Sequence, residues 1–589
     1  MEMESNTAAQ AETEHRRRRR QRRGGLRTLP FILANEVCDR FATAGFHANL
    51  ISYLTQEMNM PLVSASNTLT NFSGASSFTP LIGAFIADSF AGRFWTITVA
   101  SLIYQLGLIS ITVSAILPSL RPPPCPTQVN CKEASFSQLW VLYVSLLLTS
   151  IGSGGIRPCV VPFSADQFDM SRKGVAARKW NLFNWYFFAM ALASLSALTV
   201  VVYIQDNMGW AWGLGIPTIA MLISVIAFVL GSPLYKVQKP SGSPLLRLLQ
   251  VSVAAMHKRK QVLPQDSNLL YQNKQLDAQI SLHGRLLHSD QYKWLDKAAI
   301  VTEEGARDAN APLNLWTLAT VHRVEELKCI IRMLPIWAAG ILLVASSSHL
   351  HSFVILQARS MNRHLAHSFQ IPPATMSIFS VLTMMFGVVL YERLFVPLAR
   401  RFTGNPSGIT CLQRMGVGFV VSIGGTVVSA LVEMKRKSVA FKYHLLDDPK
   451  ATIPVSVFWL VPQYFLHGVA EVFMSVGHLE FLYDQSPESM KSSASALYCI
   501  TTAIGSYIGT MMVSLVHDYS GKGSNWLPDR NINRGKLDYY YFLVSGIQVI
   551  NLIYYLICAW LYTYKPLEEV SEIMNQESKS QMGGVKQEI

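Results

Sequence analysis

The sequence predicts an all-α polytopic membrane protein with twelve transmembrane helices in two six-helix bundles, and two observations carry that prediction. The first is a charge deficit: half of the 589 residues are apolar and 15% are Asp, Glu, Lys or Arg, against roughly a quarter charged in soluble domains. The second is spacing. Apolar runs of about 20 residues, the length that crosses a bilayer, recur along the chain with short polar breaks. Fifty basic against thirty-seven acidic residues leave a net charge of +13. The basic residues lie between and outside the apolar runs, so cytosolic loops account for them and no nucleic-acid partner is expected. The eight cysteines are mostly singletons inside apolar segments and make no metal-ligand cluster; only Cys125 and Cys131 share a loop. That loop is expected to face outward, where a disulfide can form.

Residues 1–28 are polar and carry His15 followed by a run of arginines, with no apolar stretch and cleavage site after them. They read as a cytosolic basic tail and not as a secretory signal. The N-terminal bundle, residues 29–231, takes its first span from about 29 to 54. Spans near 68–90, 95–117, 138–161, 181–204 and 210–231 complete it. The stretch from 231 to 328 then holds 13 Lys/Arg and 9 Asp/Glu. Residues 232–328 are therefore a cytosolic central loop, in which Leu245–Ala255 with the basic run at 257–260 fits either an interfacial helix or a solvated linker. Spans near 329–356, 372–393, 409–433, 455–481, 493–516 and 539–562 form the C-terminal bundle, 329–562, and residues 563–589 are a second tail. An even span count puts both termini on one side, and two basic segments put that side in the cytosol.

The loop after span two reads Gly83-Ala-Phe-Ile-Ala-Asp88-Ser-Phe-Ala-Gly92-Arg93. A carboxylate at a helix end followed by a glycine turn and a basic residue resembles the cytoplasmic gating motif of the major facilitator superfamily. The resemblance implies the major facilitator fold, in which two bundles rock about a site at mid-membrane, with Asp88 and Arg93 in gating roles.

Ionisable residues at span depth cost about 2.5–3.5 kcal/mol each on insertion scales, so each requires a reason. Span one holds Glu36, Asp39, Arg40 and His47. At 100° per residue these fall with Thr43 on one stripe. Two carboxylates and a guanidinium on adjacent turns can exchange partners as a proton arrives, which makes Glu36, Asp39 and Arg40 proton-coupling candidates. In span four, Gly152, Gly154 and Gly155 permit close helix approach, and Arg157 precedes Pro158. Arginine does not deprotonate; it can hold a carboxylate or an anionic solute. Span ten places His467, Glu471, Ser475 and His478 at steps of four, four and three, one face expected to line a cavity. Glu471 is the expected partner of Arg157 in the outward-open state. His349 and His351, about 200° apart on a helix, cannot share a metal; His349 is kept as a substrate contact beside Arg157, His47, Thr43 and His467.

Together these positions resemble the plant nitrate/peptide transporter family, the proton-coupled oligopeptide transporter branch of that superfamily. Glu36-Val-Cys-Asp39-Arg40 is similar to its first-span signature, and Asn67 to Phe72, Gly155 to Cys159, Ala165 to Asp169, Gln205 to Asn207 and Asn525 to Asp529 are similar to further motifs. Arg121 to Cys125 and Gly45 to Tyr53 resemble the third plant subfamily, which is associated with nitrate, nitrite and gibberellin-type hormones. Asp39 stands where the signature has Glu. Thr43 and Ala44 replace the tyrosines of peptide-carrying relatives, and Arg157 replaces their lysine. The histidine of the family's nitrate carrier falls near Ser347. Thr96 occupies the place of a phosphorylated residue and is the candidate for a kinase partner.

The resemblance implies a symporter of protons with a small anionic solute, nitrate or nitrite or a carboxylate hormone such as gibberellin. The chain is not an enzyme: it shows no nucleophile with a base, no zinc-spaced ligand set and no phosphate loop. No cofactor and no metal are expected, the proton gradient being the driving force. An uncoupled facilitator or a membrane sensor is the alternative function, and di- or tripeptides are the alternative cargo. The plasma membrane is the expected location, with a plastid envelope as the second.

Overall fold

The computed structural model describes residues 25–125, 131–167, 190, 192–237, 244–264, 266–277, 286–301, 314–366, 369–404, 408–487, 491–520 and 525–564. Helices α1 (Leu29–Gln56), α2 (Leu62–Ile86), α3 (Arg93–Ile116) and α4 (Phe136–Asp166) run back and forth. Helix α5 (Val202–Asn207) follows a π-helical turn at Ala197–Val201, and α6 (Trp210–Leu230) closes the first bundle. In the second bundle the first span is broken into α8 (Val321–Ser347) and α9 (Leu350–Ser360). The next comprises α10 (Ile378–Leu390) and α11 (Val396–Thr403), followed by α12 (Cys411–Lys442), α13 (Val461–Gln485), α14 (Lys491–Ser520) and α15 (Leu537–Leu561). Long helices thus cover eleven of the twelve expected spans, and the start of the fifth lies outside the described residues.

Nine of the described segments are long and apolar enough to cross a membrane. Helices α1 and α2, at 28 and 25 residues, are long enough at about 1.5 Å per residue. They fall short in apolarity because they carry the buried polar residues Asn35, Glu36, Asp39 and Asn49, and Ser66 and Thr70.

Glycines set how close the helices come. A Cβ on Gly83 would lie 2.3 Å from the Gly154 carbonyl oxygen, and one on Gly152 would lie 2.5 Å from the Tyr104 Cα. Helix α4 therefore packs backbone to backbone against both α2 and α3, the close approach its small residues predict. Gly92, with φ of +74°, makes the turn into Arg93. The side chain of Asp88 lies outside the described residues, so the gating pair is not described.

The central segment folds onto the second bundle. Helix α7 (Pro244–His257) buries Val251, Ala254 and Ala255 against Leu295, Ala298 and Ala299 and against Val324 and Leu327 at the start of α8. Leu246, Leu249 and Met256 on its other side are exposed. Next to it the fully buried Lys328 meets Asp296 and Glu325, each at 2.8 Å. On the opposite face of the molecule Cys125 and Cys131 form a disulfide. We call that face the hairpin face, and the one where α1 begins and the central segment docks the tail face.

Candidate functional site

A cavity of about 470 Å³ lies between the bundles at mid-height. From the first bundle, α1 contributes Arg40, Thr43 and His47 and α4 contributes Arg157; from the second come His351 on α9, and His467 and Glu471 on α13. Small hydroxyl groups such as Ser380, Ser422 and Thr426, and apolar patches such as Leu198, Val354 and Val381, make up much of the remaining wall.

The ionic network at the base of α1 is built from its stripe. Arg157 Nε donates to Asp39 Oδ2 at 3.1 Å and its Nη2 donates to Thr43 Oγ1 at 3.1 Å. Thr43 donates in turn to Asp39 Oδ1 at 3.1 Å, and Tyr104 meets the Thr43 hydroxyl at 2.9 Å. Asp39 is fully buried. One turn earlier Arg40 lies 3.6 Å from the buried Glu36. The cavity therefore begins with each arginine already held by one acid, so an incoming anion meets guanidiniums whose charge is shared.

Helix α1 presents the one polar stripe expected of it, and the Arg157–Glu471 pair is an expectation for the outward-open state. In this conformation Arg157 is bonded to Asp39, and Glu471 lines the same cavity without a hydrogen bond to it among the described residues. The shorter acid reaches because the guanidinium comes to it across the α1–α4 contact.

Of the three histidines expected to contact substrate, His47 and His467 line the cavity and His349 does not. His47 faces the cavity, with its ring centroid 6.3 Å from that of His351. His349 does not line it: its Nε2 sits 3.1 Å from Asn67 Oδ1 and 3.2 Å from Thr70 Oγ1, in a joint between the bundles. His351, about 200° round the helix from His349, lines the cavity instead. On α13 the expected single face divides. His467 and Glu471 line the cavity, while His478 packs against Gly340 and stacks edge-on with Tyr498 at 5.8 Å. Thr96 is 8% exposed and its hydroxyl donates to the Gly92 carbonyl at 3.0 Å, so this conformation offers no hydroxyl to a kinase.

All hydrogen bonds between the bundles among the described residues lie in the halves of the helices nearer the hairpin face. Asn67 donates to Ser514 at 2.9 Å and Thr510 donates to Asn71 at 2.9 Å. Thr375 donates to the Leu198 carbonyl at 3.1 Å and Arg359 donates to Thr55 at 3.1 Å. This face is closed.

Long helices over eleven of the expected spans among the described residues, a buried acid–arginine network and a cavity shared between bundles agree with a match of residues 94–527 to the model of the POT family. The chain belongs to the POT family. It is 55% identical over 590 residues to the Arabidopsis thaliana protein NRT1/PTR FAMILY 3.1, covering 100% of this chain and 98% of that protein. It is 42% identical to NRT1/PTR FAMILY 8.5 of the same plant, covering 91% of this chain and 90% of that protein. Among solved structures it is similar to an auto-inhibited POT family peptide transporter, with a TM-score of 0.66, 21% identity, and 92% of this chain and 98% of that chain covered. It is also similar to the POT family transporter PepTSo, with a TM-score of 0.63, 22% identity and coverage of 91% and 98%. The POT member is thus a polytopic membrane transporter of a proton-coupled family, with the major facilitator arrangement of its helices, and not an enzyme.

Proposed function

We propose that this POT member is a symporter that carries a monovalent anion together with more than one proton, and that its preferred cargo is an organic carboxylate of the gibberellin type, with nitrate or nitrite as the second class. The charge inventory of the cavity supports this. Arg40 and Arg157 oppose Glu36, Asp39 and Glu471, which leaves one negative charge when His47, His351 and His467 are neutral. A monovalent anion raises that to two, and two protons bring the loaded site back to neutrality, the state that crosses a low-dielectric barrier at least cost. Glu36, Asp39 and Glu471 are the proton carriers, and Arg157 with the three imidazoles supplies donors to the anion. Nitrate alone would leave most of a 470 Å³ cavity empty, whereas sites of about 300–1,000 Å³ with apolar walls suit drug-sized ligands.

In this reading the tail face is cytosolic, the membrane is the plasma membrane, and the closed hairpin face makes this the inward-facing state. Arg157 and Glu471 meet when the bundles rock to the outward-facing state. Two protons with one anion carry net charge inward, which gains about 2.3 kcal/mol per 100 mV of membrane potential. In voltage-clamped cells at external pH 5.5, gibberellin should evoke a saturable inward current, larger than that from nitrate, nitrite, abscisate or a dipeptide. Glu471→Gln should abolish it. Uptake without current would overturn the two-proton stoichiometry, and wild-type uptake by Glu471→Gln would remove that carboxylate from the cycle.

A further inference from the structure

A second cavity, of about 340 Å³, lies at the hairpin face between the bundles, well away from Arg157. Its lining is mostly polar, and its charges divide by bundle. Arg359, at the end of α9, and Arg363, just beyond it, come from the second bundle; Asp206, in α5, comes from the first. Glu57 also lines it but is bonded to Arg121, so that pair is neutral. Asp206 accepts from Asn49 at 2.8 Å. No ion pair within 4.0 Å joins Asp206 to either arginine among the described residues, although it attracts both and they repel each other.

Each guanidinium is only partly engaged. Arg359 Nη1 donates to Thr55 Oγ1 at 3.1 Å and Arg363 Nη1 donates to the Ile371 carbonyl at 3.2 Å. With five N–H donors on each arginine, the walls hold donors to spare, and Gln56, Gln205 and Gln370 surround them. Two guanidiniums against one carboxylate leave one uncompensated positive charge in a partly enclosed space, which one monovalent anion would neutralise.

We propose that Arg359 and Arg363 form an external loading site for a monovalent oxyanion, a nitrate or a carboxylate group, separate from the central cavity. The assignment of anion as the cargo class rests on the function proposed above. The site is also linked to opening. When the bundles part at this face, Asp206 and Thr55 leave with the first bundle while both arginines stay with the second. The local charge then rises from +1 to +2, so the anion binds the outward-open state more tightly and draws the face open by that difference.

The test uses the purified full-length protein, with nitrate as the probe, and reads the nitrate dependence of its thermal midpoint. Arg157→Gln disables the central cavity, and any effect of salt in general is common to all variants. We expect Arg157→Gln to keep a saturable nitrate response, and addition of Arg363→Gln to weaken its apparent affinity at least tenfold. Addition of Arg363→Lys instead should keep affinity within about threefold of the Arg157→Gln parent, because the positive charge remains. A response that vanishes with Arg157→Gln, or one that Arg363→Gln leaves unchanged, overturns the outer site. Gibberellin-evoked current in the wild type is read separately, so a failure of the central-site proposal is told apart from a failure of this one. In cells, Arg363→Gln should raise the KM for external anion threefold to tenfold at unchanged maximal current; a fall in maximal current at constant KM would make the side chain a strut and sink the proposal.

Discussion

Asp39 is the residue on which the central site turns, since it holds Arg157 through one side chain and is itself fully buried. Asp39→Asn leaves a guanidinium without its counter-charge. We expect a loss on the order of 3 kcal/mol, at the low end for broken buried pairs because Arg157 keeps 21% exposure to the cavity. The thermal midpoint in detergent should fall and proton-driven uptake should be lost. Adding Arg157→Gln should recover most of the stability and none of the transport, because the pair is then neutral but the anion has no cation to meet. A double variant no more stable than Asp39→Asn would mean the two charges do not interact. That Asp39 needs a buried polar partner is legible in the sequence, because a carboxylate at span depth is too costly to stand alone. The identity of that partner is not. Arg157 lies 118 residues away, and which acid it meets depends on how α1 and α4 are rotated, a quantity helical periodicity leaves undetermined. The outer pair Arg359 and Arg363 gives no sequence signal for a related reason. Arginines at the end of a span are ordinary membrane anchors until folding encloses them.

At the scale of elements, the sequence predicted helices well and interruptions poorly. Apolar length fixes a span, whereas the break at Ser348–His349 depends on local packing, and which of His349 and His351 faces the cavity depends on how that segment is rotated in the bundle. Helix α7 is another case: its sequence fitted an interfacial helix or a solvated linker, and folding settled one of its faces against the base of α8. Lys258 closes that contact by donating to the carbonyls of Ala298 and Ile300 at 3.3 and 2.6 Å. Burial pushes its ammonium down to about 8, from an ordinary value near 10.4. Between those two values the unfolded segment binds more protons than the docked one, so docking strengthens as pH rises through about 8 to 10 and changes little below 7. Limited proteolysis of the central segment should therefore slow between pH 7.5 and about 9.5. Lys258→Met should flatten that dependence, and a wild-type rate that increases over the same window would contradict the assignment.

Rocking of the two bundles requires the hairpin face to part, and most of its joints are hydrogen bonds made by side chains, each worth about 1 kcal/mol net. The Asn67–Ser514, Asn71–Thr510, Leu198–Thr375 and Thr55–Arg359 contacts lie along one face and release together. Deeper in the membrane the same helices touch more closely. A Cβ on Gly74 of α2 would lie 3.2 Å from the Cβ of Ser506 on α14, which places a tight crossing beneath the joint and makes it the natural fulcrum. A covalent link above the fulcrum should therefore stop the cycle. Asn67→Cys with Ser514→Cys, joined by a short bifunctional thiol reagent, should lose more than about nine-tenths of uptake and regain it on reduction. Each single variant treated with the same reagent should keep its activity, since only the pair spans the two bundles. Anion should still bind to the linked protein from the tail side, because the central cavity lies below the link. If linked protein transports as before, the hairpin face is not the gate, and the bundles must exchange access by some motion other than rocking about the crossing of α2 and α14.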